Sequence, residues 1–233
     1  MRLRRFRFKY LETSVTVLAE DEETYRRTVK AILDARSQVE KAIASNPLFY
    51  VSLEPIDCEF NLQVADRMCQ ASKLAGVGPM AAVAGGIAQY AVEKVEGTIF
   101  VDNGGDIAMR CEKAKIGIFP TDLALKLEFD SPKVYSVCTS SGRYGHSISF
   151  GDCDAAVVLA DDGFTADAFA TALGNEIKQG FGKKEIESAV EEFWSKVRKY
   201  IDGIVVVKDG YIGFAGDVNL VKAEFDEKLI TRW

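Results

Sequence analysis

Asp167 and Thr171, in Ala166-Asp167-Ala168-Phe169-Ala170-Thr171, stand four residues apart. Positions i and i+4 share a helix face, so a carboxylate and a hydroxyl point the same way. Magnesium takes few protein oxygens and fills its shell with water or phosphate, which this pair suits. A structural reading competes: Asp167 favours a helix N-terminus, and Thr171 can bond its own i−4 carbonyl. A second group is Thr139-Ser140-Ser141-Gly142-Arg143-Tyr144-Gly145-His146, which contains the only histidine. Such a loop after a strand can form an anion nest, with Arg143 on a phosphate and Tyr144 stacked on an aromatic ring. The alternative is a polar surface loop. A hydrolase built on Ser140 or Ser141 with His146 fits poorly, because no G-x-S-x-G elbow is present. Third is Asn103-Gly104-Gly105-Asp106. Its amides can face a ligand, but Asn-Gly is also a common hairpin turn, and on this motif alone the hairpin comes first. Fourth, Gly78-Pro79 opens a helix whose unpaired amides can hold phosphate, although most such starts bind nothing.

The elements that must carry these groups are readable from period and punctuation. Arg4–Tyr10 alternates basic and aromatic residues and, with Thr13–Ala19, predicts an antiparallel hairpin with a charged outer face. Asp21 caps a long helix over Glu22–Ala44. Leu48–Leu53 reads as a strand stopped by Pro55, and Asn61–Leu74 as a helix. Met80–Val95 is a second helix, small-residued and uncharged up to Val92, followed by a strand at Thr98–Val101. Asp106–Cys111, Ala114–Phe119, Leu123–Phe129 and Val134–Thr139 predict an antiparallel meander of short strands. Ala155–Ala160 is wholly apolar and therefore central. Thr165–Gly174 and Lys183–Tyr200 are helices, and Gly203–Lys208 with Tyr211–Ala215 forms a hairpin through Asp209-Gly210. Strict β-α-β alternation is absent. The fold class is α+β: antiparallel or mixed sheet packed with helices, in one domain over residues 1–233 with two layered halves.

A net charge of −6 argues against a nucleic-acid surface. Leu74–Val92 is long enough to tempt a membrane assignment, but its glycines, Pro79, Gln89 and many alanines make it a buried, closely packed helix instead. The N-terminus carries charge where a signal peptide has its apolar stretch. Five cysteines without C-x-x-C spacing predict reduced buried thiols in a cytoplasmic protein, not zinc or disulfides.

Taken in order, these stretches resemble the ApbE family, the magnesium-dependent FAD:protein FMN transferases. The family's D-L-G-G-I-A-K-G-Y-A-V helix is matched by Gly85-Gly86-Ile87-Ala88-Gln89-Tyr90-Ala91-Val92, and its L-G-G-D/N-I turn by Asn103–Ile107. Its T-S-G-x-Y loop is matched by Thr139–Tyr144 with His146 beyond, and its A-D-A-x-x-T-A helix by Ala166–Ala172. Val83 and Gln89 stand where the family has Asp and Lys, and no Asp-Pro follows His146-Ser147-Ile148. The resemblance implies an ApbE-like (T-fold-related) architecture and a magnesium site at Asp167, Thr171 and the Gly86 carbonyl. It implies FAD lying across Gly85, Gly86 and Gln89, the turn Asn103, Gly104 and Gly105, and the loop Thr139, Ser140, Ser141, Gly142, Arg143 and Tyr144. Asp167 and His146 are the residues expected to carry catalysis. FMN would pass to a Ser or Thr of an acceptor flavoprotein, with AMP leaving. Three readings stay open: a magnesium-dependent enzyme acting on a flavin or nucleotide diphosphate, a non-catalytic flavin or nucleotide carrier, and an interaction protein with an empty cleft. A homodimer is compatible with each; nucleic acid and membrane are not expected partners.

Overall fold

The computed structural model describes residues 3–144 and 150–223. Its strands are β1 (Arg4–Tyr10), β2 (Thr13–Ala19), β3 (Ile99–Asp102), β4 (Ile107–Ile118), β5 (Leu123–Ser140), β6 (Ala155–Ala160), β7 (Gly203–Lys208), β8 (Tyr211–Gly216) and β9 (Leu220–Lys222). The helices are α1 (Glu22–Ser45), α2 (Leu48–Val51), α3 (Gln63–Ala75), α4 (Val83–Glu93), α5 (Gly163–Glu176) and α6 (Lys183–Val197), with a 3-10 turn over Pro79–Ala82 leading into α4. Among the described residues the strands form one sheet in the order β1 to β8, with β9 against β5. Every pairing is antiparallel.

All six helices pack on one face. α1, α3 and α4 bury Ile32, Met68 and Val92 with Val17 and Val101. α5 and α6 bury Phe169, Leu173 and Val190 with Cys138, Val158 and Val206. The opposite face is covered by the sheet itself. β4 and β5 form one long hairpin with a register shift between Cys111 and Lys113. Beyond that bend the hairpin folds back, and Ile118, Leu125 and Leu127 pack on Val157, Leu159, Val205 and Val207. β6 and β7 are thereby buried on both faces, as the wholly apolar sequence of β6 predicts.

Three sequence expectations are corrected. The four short strands of the meander are two long ones; Pro132 falls in the stretch of β5 skipped by the register, where no ladder amide is needed. Leu48–Leu53 is not a strand. Asn46 Oδ1 accepts the Leu48 amide at 3.1 Å and opens the short helix α2 instead. Nor are all the cysteines reduced: Cys58 and Cys69 form a disulfide, while Cys111, Cys138 and Cys153 are free and buried. Their Cα atoms, 6.4 Å apart, lie on α3 and the segment leading into it.

The helices are pinned to each other by polar contacts as well as apolar area. Asp162 caps α5, accepting the Thr165 amide at 3.0 Å. Arg67 of α3 reaches Asp162 at 2.7 Å and Glu93 of α4 at 2.8 Å, and its guanidinium lies 4.1 Å from the Phe164 ring centroid. α4 and α5 approach closely because both are glycine-bearing at the crossing. A Cβ on Gly85 would sit 2.5 Å from the Gly163 carbonyl oxygen and 2.8 Å from Asp167 Cβ. No single helix among the described residues is long and apolar enough to cross a membrane. The α3 segment and Pro79–Glu93 meet at 106°, and Gly85 to Val92 are buried.

Gly85→Ala should therefore destabilise the protein by about 1–3 kcal/mol, the usual cost of overpacking, and lower its Tm by roughly 2–10 °C in a thermal melt. Thiol titration of denatured, unreduced protein should return the three free cysteines alone.

Candidate functional site

The turn between β3 and β4 is built by sequence. Gly104 and Gly105 have φ of +79° and +102°, a conformation that side-chain-bearing residues rarely adopt. The Asn103 amide donates to the Asp106 carbonyl at 3.0 Å and closes the hairpin. Asn103 Nδ2 donates to the Ala84 carbonyl at 3.1 Å, which ties the turn to the start of α4. Asp106 then points to the helix face, and its Oδ1 accepts the Thr139 amide at 3.1 Å.

Asp167 projects from α5 to the same place. Its Oδ2 accepts the Gly85 amide at 2.8 Å, and the Ala84 amide also donates to it. These belong to the first turn of α4, whose donors have no partner within their own helix. Asp106 and Asp167 are both buried and repel one another. Burial pushes Asp167 up to about 7, against the pull of the two amides. Burial, then the Asp167 charge, raises Asp106 well above the ordinary carboxylate range. Cys138 beside them is held as a neutral thiol by burial and by the same carboxylates. Ser140, on the Cys138 face of β5, has a buried hydroxyl without a partner. Asp106 and Asp167 form an all-oxygen pair, a donor chemistry that fits a hard divalent cation. No group of three or more His, Cys, Asp or Glu is gathered as a metal site among the described residues.

The other face of the same strand ends opens into a cleft of about 700 Å³. Its floor crosses β1 to β6, from Arg5 and Leu18 through Phe100, Ile107 and Thr139 to Val157, and its roof is the folded-back stretch Lys115 to Phe119. Six strands at the usual spacing make it roughly 24 Å long. The lining is mainly apolar. Of the lining residues, Gly105 and Thr139 lie nearest the carboxylates, since Gly105 packs toward Thr139, whose amide donates to Asp106.

The loop after β5 is held by charge. Arg143 donates to Asp152 at 2.8 Å, Asp154 at 3.1 Å and Asp209 at 2.5 Å. The guanidinium is stabilised by the Asp152 and Asp209 bonds first, and Asp152 is held well below the usual carboxylate range by Arg143 and then Lys208. Lys208 is 1% exposed and donates to the Asp152 carbonyl at 2.6 Å.

A family model described as AbpE bacteria matches residues 1–190. The UPF0280 protein of Archaeoglobus fulgidus is 52% identical over 99% of this chain and 100% of its own length. That of Methanosphaerula palustris is 40% identical over 97% of each. The chain belongs to the ApbE-like family. Among solved structures, the apo flavinyl transferase ApbE of Pseudomonas stutzeri superposes with a TM-score of 0.58 at 12% identity, over 92% of this chain and 94% of that one. The ApbE protein of Thermotoga maritima superposes with 0.50 at 15% identity over the whole of both. The α+β, antiparallel architecture expected from the sequence is the architecture shared with these ApbE structures.

The residues singled out from this ApbE-like sequence do not all meet. Gly104, Gly105, Thr139, Ser141 and Tyr144 line the cleft. Asp167 and the buried Ser140 lie on the helix face of the sheet, and Thr171 stands one turn beyond Asp167 on α5. Gly85 supplies an amide to Asp167, whereas Gly86 is pressed on the Phe164 ring. Gln89 is 3% exposed and committed inside the protein: Oε1 accepts Ser136 Oγ at 2.9 Å and the Gly163 amide at 3.1 Å, and Nε2 donates to Glu93. Arg143 is no free phosphate grip, because three carboxylates hold it. Gly142 is packed on the Gly151 backbone, and Asn103 serves the turn. Gly78 does not start a phosphate site either; its Cα abuts the Ser52 backbone before a four-residue turn. His146 lies outside the described residues. Sequence reasoning listed Asp106 only within the turn motif without singling out its carboxylate, and passed over Phe119 and Asp154, which line the cleft. Asp106 was visible as the acid closing the Asn-Gly-Gly turn; the other two carried no local signal.

In metal-free protein the carboxylate pair imposes a pH slope. The folded state keeps the Asp167 proton up to about pH 7, whereas the unfolded chain releases it near 3.8. Stability then falls as pH rises through that interval and stays at the lower level above it. Denaturant midpoints taken at pH 5 and pH 8 in chelator should fall between the two values, and Asp167→Asn should flatten that difference.

Proposed function

We propose that the protein binds a flavin dinucleotide along the cleft and acts on its diphosphate with magnesium held at Asp106 and Asp167. One observation supports this most. Gly105, in the turn before β4, lies near Thr139 of β5, and both line the cleft, while Asp106 accepts the Thr139 amide and faces Asp167. A dinucleotide-sized apolar slot and a buried, like-charged oxygen pair thus share one strand end. Two carboxylates kept together in a low-dielectric site bind a proton or a cation in preference to standing both ionised.

Each part has a role in that reading. The Gly104-Gly105 turn lets a diphosphate approach backbone that a side chain would block. The α4 amides orient Asp167, and the Thr139 amide orients Asp106. Thr171 and the Ser140 hydroxyl are the further oxygens nearest in sequence and face. Magnesium there would polarise the diphosphate and offset charge on the leaving phosphate. The acceptor hydroxyl, a Ser or Thr of a flavoprotein or water, loses its proton to solvent as its oxygen bonds the FMN phosphorus. The anhydride bond breaks with its electron pair on AMP. A non-catalytic flavin carrier is the second reading, favoured by Gln89, whose amide serves the core where the family's pattern has a lysine.

Incubation with FAD and magnesium should release AMP, seen by chromatography. Asp167→Asn and Asp106→Asn should each slow release by ~10-fold or more while flavin stays bound, since neither carboxylate is among the residues that line the cleft. Bound flavin without AMP from the wild type would select the carrier.

A further inference from the structure

Phe119 follows the last residue of β4. It is 52% exposed, at the tip of the folded-back hairpin, and lines the cleft mouth. Tyr144, 50% exposed, reaches the same mouth from the loop after β5. The two rings meet edge-on, with centroids 5.5 Å apart and planes at 76°.

Both rings hang from braced backbone. The Tyr144 amide donates to Ser141 Oγ at 2.8 Å, and Arg143 ties that loop to Asp152, Asp154 and Asp209. On the hairpin side, the Thr121 amide donates to the Ile118 carbonyl at 2.9 Å, and the Ala223 amide to the Asp122 carbonyl at 2.9 Å. The frame is fixed while the ring contact itself is solvent-exposed and cheap to open. An exposed aromatic pair spanning the mouth of an apolar slot is suited to a flat, conjugated ring entering between or against its members.

We infer that Phe119 and Tyr144 form a clasp for the isoalloxazine ring, with Phe119 the residue that separates flavins from plain nucleotides. This rests on the flavin reading of the cleft. It assigns the ring to the mouth, and leaves the diphosphate to the Gly104-Gly105 end.

The test is a set of titrations with FMN, FAD and ADP on the wild type, Phe119→Ala and Phe119→Tyr. Thermal melts of all three proteins check that the substitutions at this half-exposed site leave folding intact. Phe119→Ala should weaken FMN and FAD roughly 3- to 10-fold and change ADP less than twofold, and Phe119→Tyr should restore flavin affinity. Flavin fluorescence, quenched in the wild-type complex, should recover partly in Phe119→Ala. Unchanged flavin affinity in Phe119→Ala, with the wild type binding normally, overturns the clasp alone. A loss confined to ADP overturns it too, since the rings would then hold adenine. A wild type that binds neither FMN nor FAD overturns the flavin reading and the clasp together.

Discussion

The hydrogen bonds from the first turn of α4 to the carboxylate of Asp167 are the constraint on which the site depends. They require α4 to begin against α5, and that approach is open only because Gly85 and Gly163 lack side chains at the crossing. Once α4 is seated there, Asn103 can reach the Ala84 carbonyl, which fixes the β3–β4 turn. Fixing the turn aims Asp106 at Asp167. A buried acid would ordinarily be avoided; here two are held together by three backbone amides, with burial and mutual repulsion raising their affinity for protons. The arrangement is a stability cost kept at a strand end, where it is close to a cleft.

Charge is managed differently on the two sides of that cleft. Among the described residues, no cationic side chain acts on the carboxylate pair. The Arg143 loop is largely compensated, with two cations, Arg143 and Lys208, among three carboxylates, Asp152, Asp154 and Asp209. A lysine almost wholly removed from water survives only when paired, and its partners come from the strand start and the hairpin that flank the loop. The loop is therefore part of the rigid frame up to Tyr144, and its arginine is a fastener.

Local pattern made most of the fold legible. The charged alternation of β1, the Asp21 cap of α1, the apolar run of β6 and the Asp209-Gly210 turn each announced their element, and the structure carries all four. What was not legible depended on partners distant in sequence. Pro132 reads as a break until the register shift that accommodates it is known. Cys58 and Cys69 lack a recognisable spacing because their pairing follows from the turn into α3. In the site, Asp167 was visible through its helix motif, but its partner Asp106 is sixty-one residues earlier in the sequence, and no periodicity links the two. Arg143 misled for the same reason: a lone arginine in a glycine-rich loop looks available until its three carboxylates, two of them beyond the loop, are placed beside it.

The folded-back β4–β5 hairpin also separates two properties that compact folds usually couple. The helices and the first part of the sheet set the position of the carboxylates, whereas the roof of the cleft is one excursion of chain attached to that frame through the bend at Cys111 and Lys113 and the short clip of β9. Change in the hairpin's length or tip can alter the bore of the slot without moving the chemistry beneath it. On the proposed reading, ligand range and reaction chemistry would be carried by different pieces of chain, so that one could drift across a lineage while the other is held.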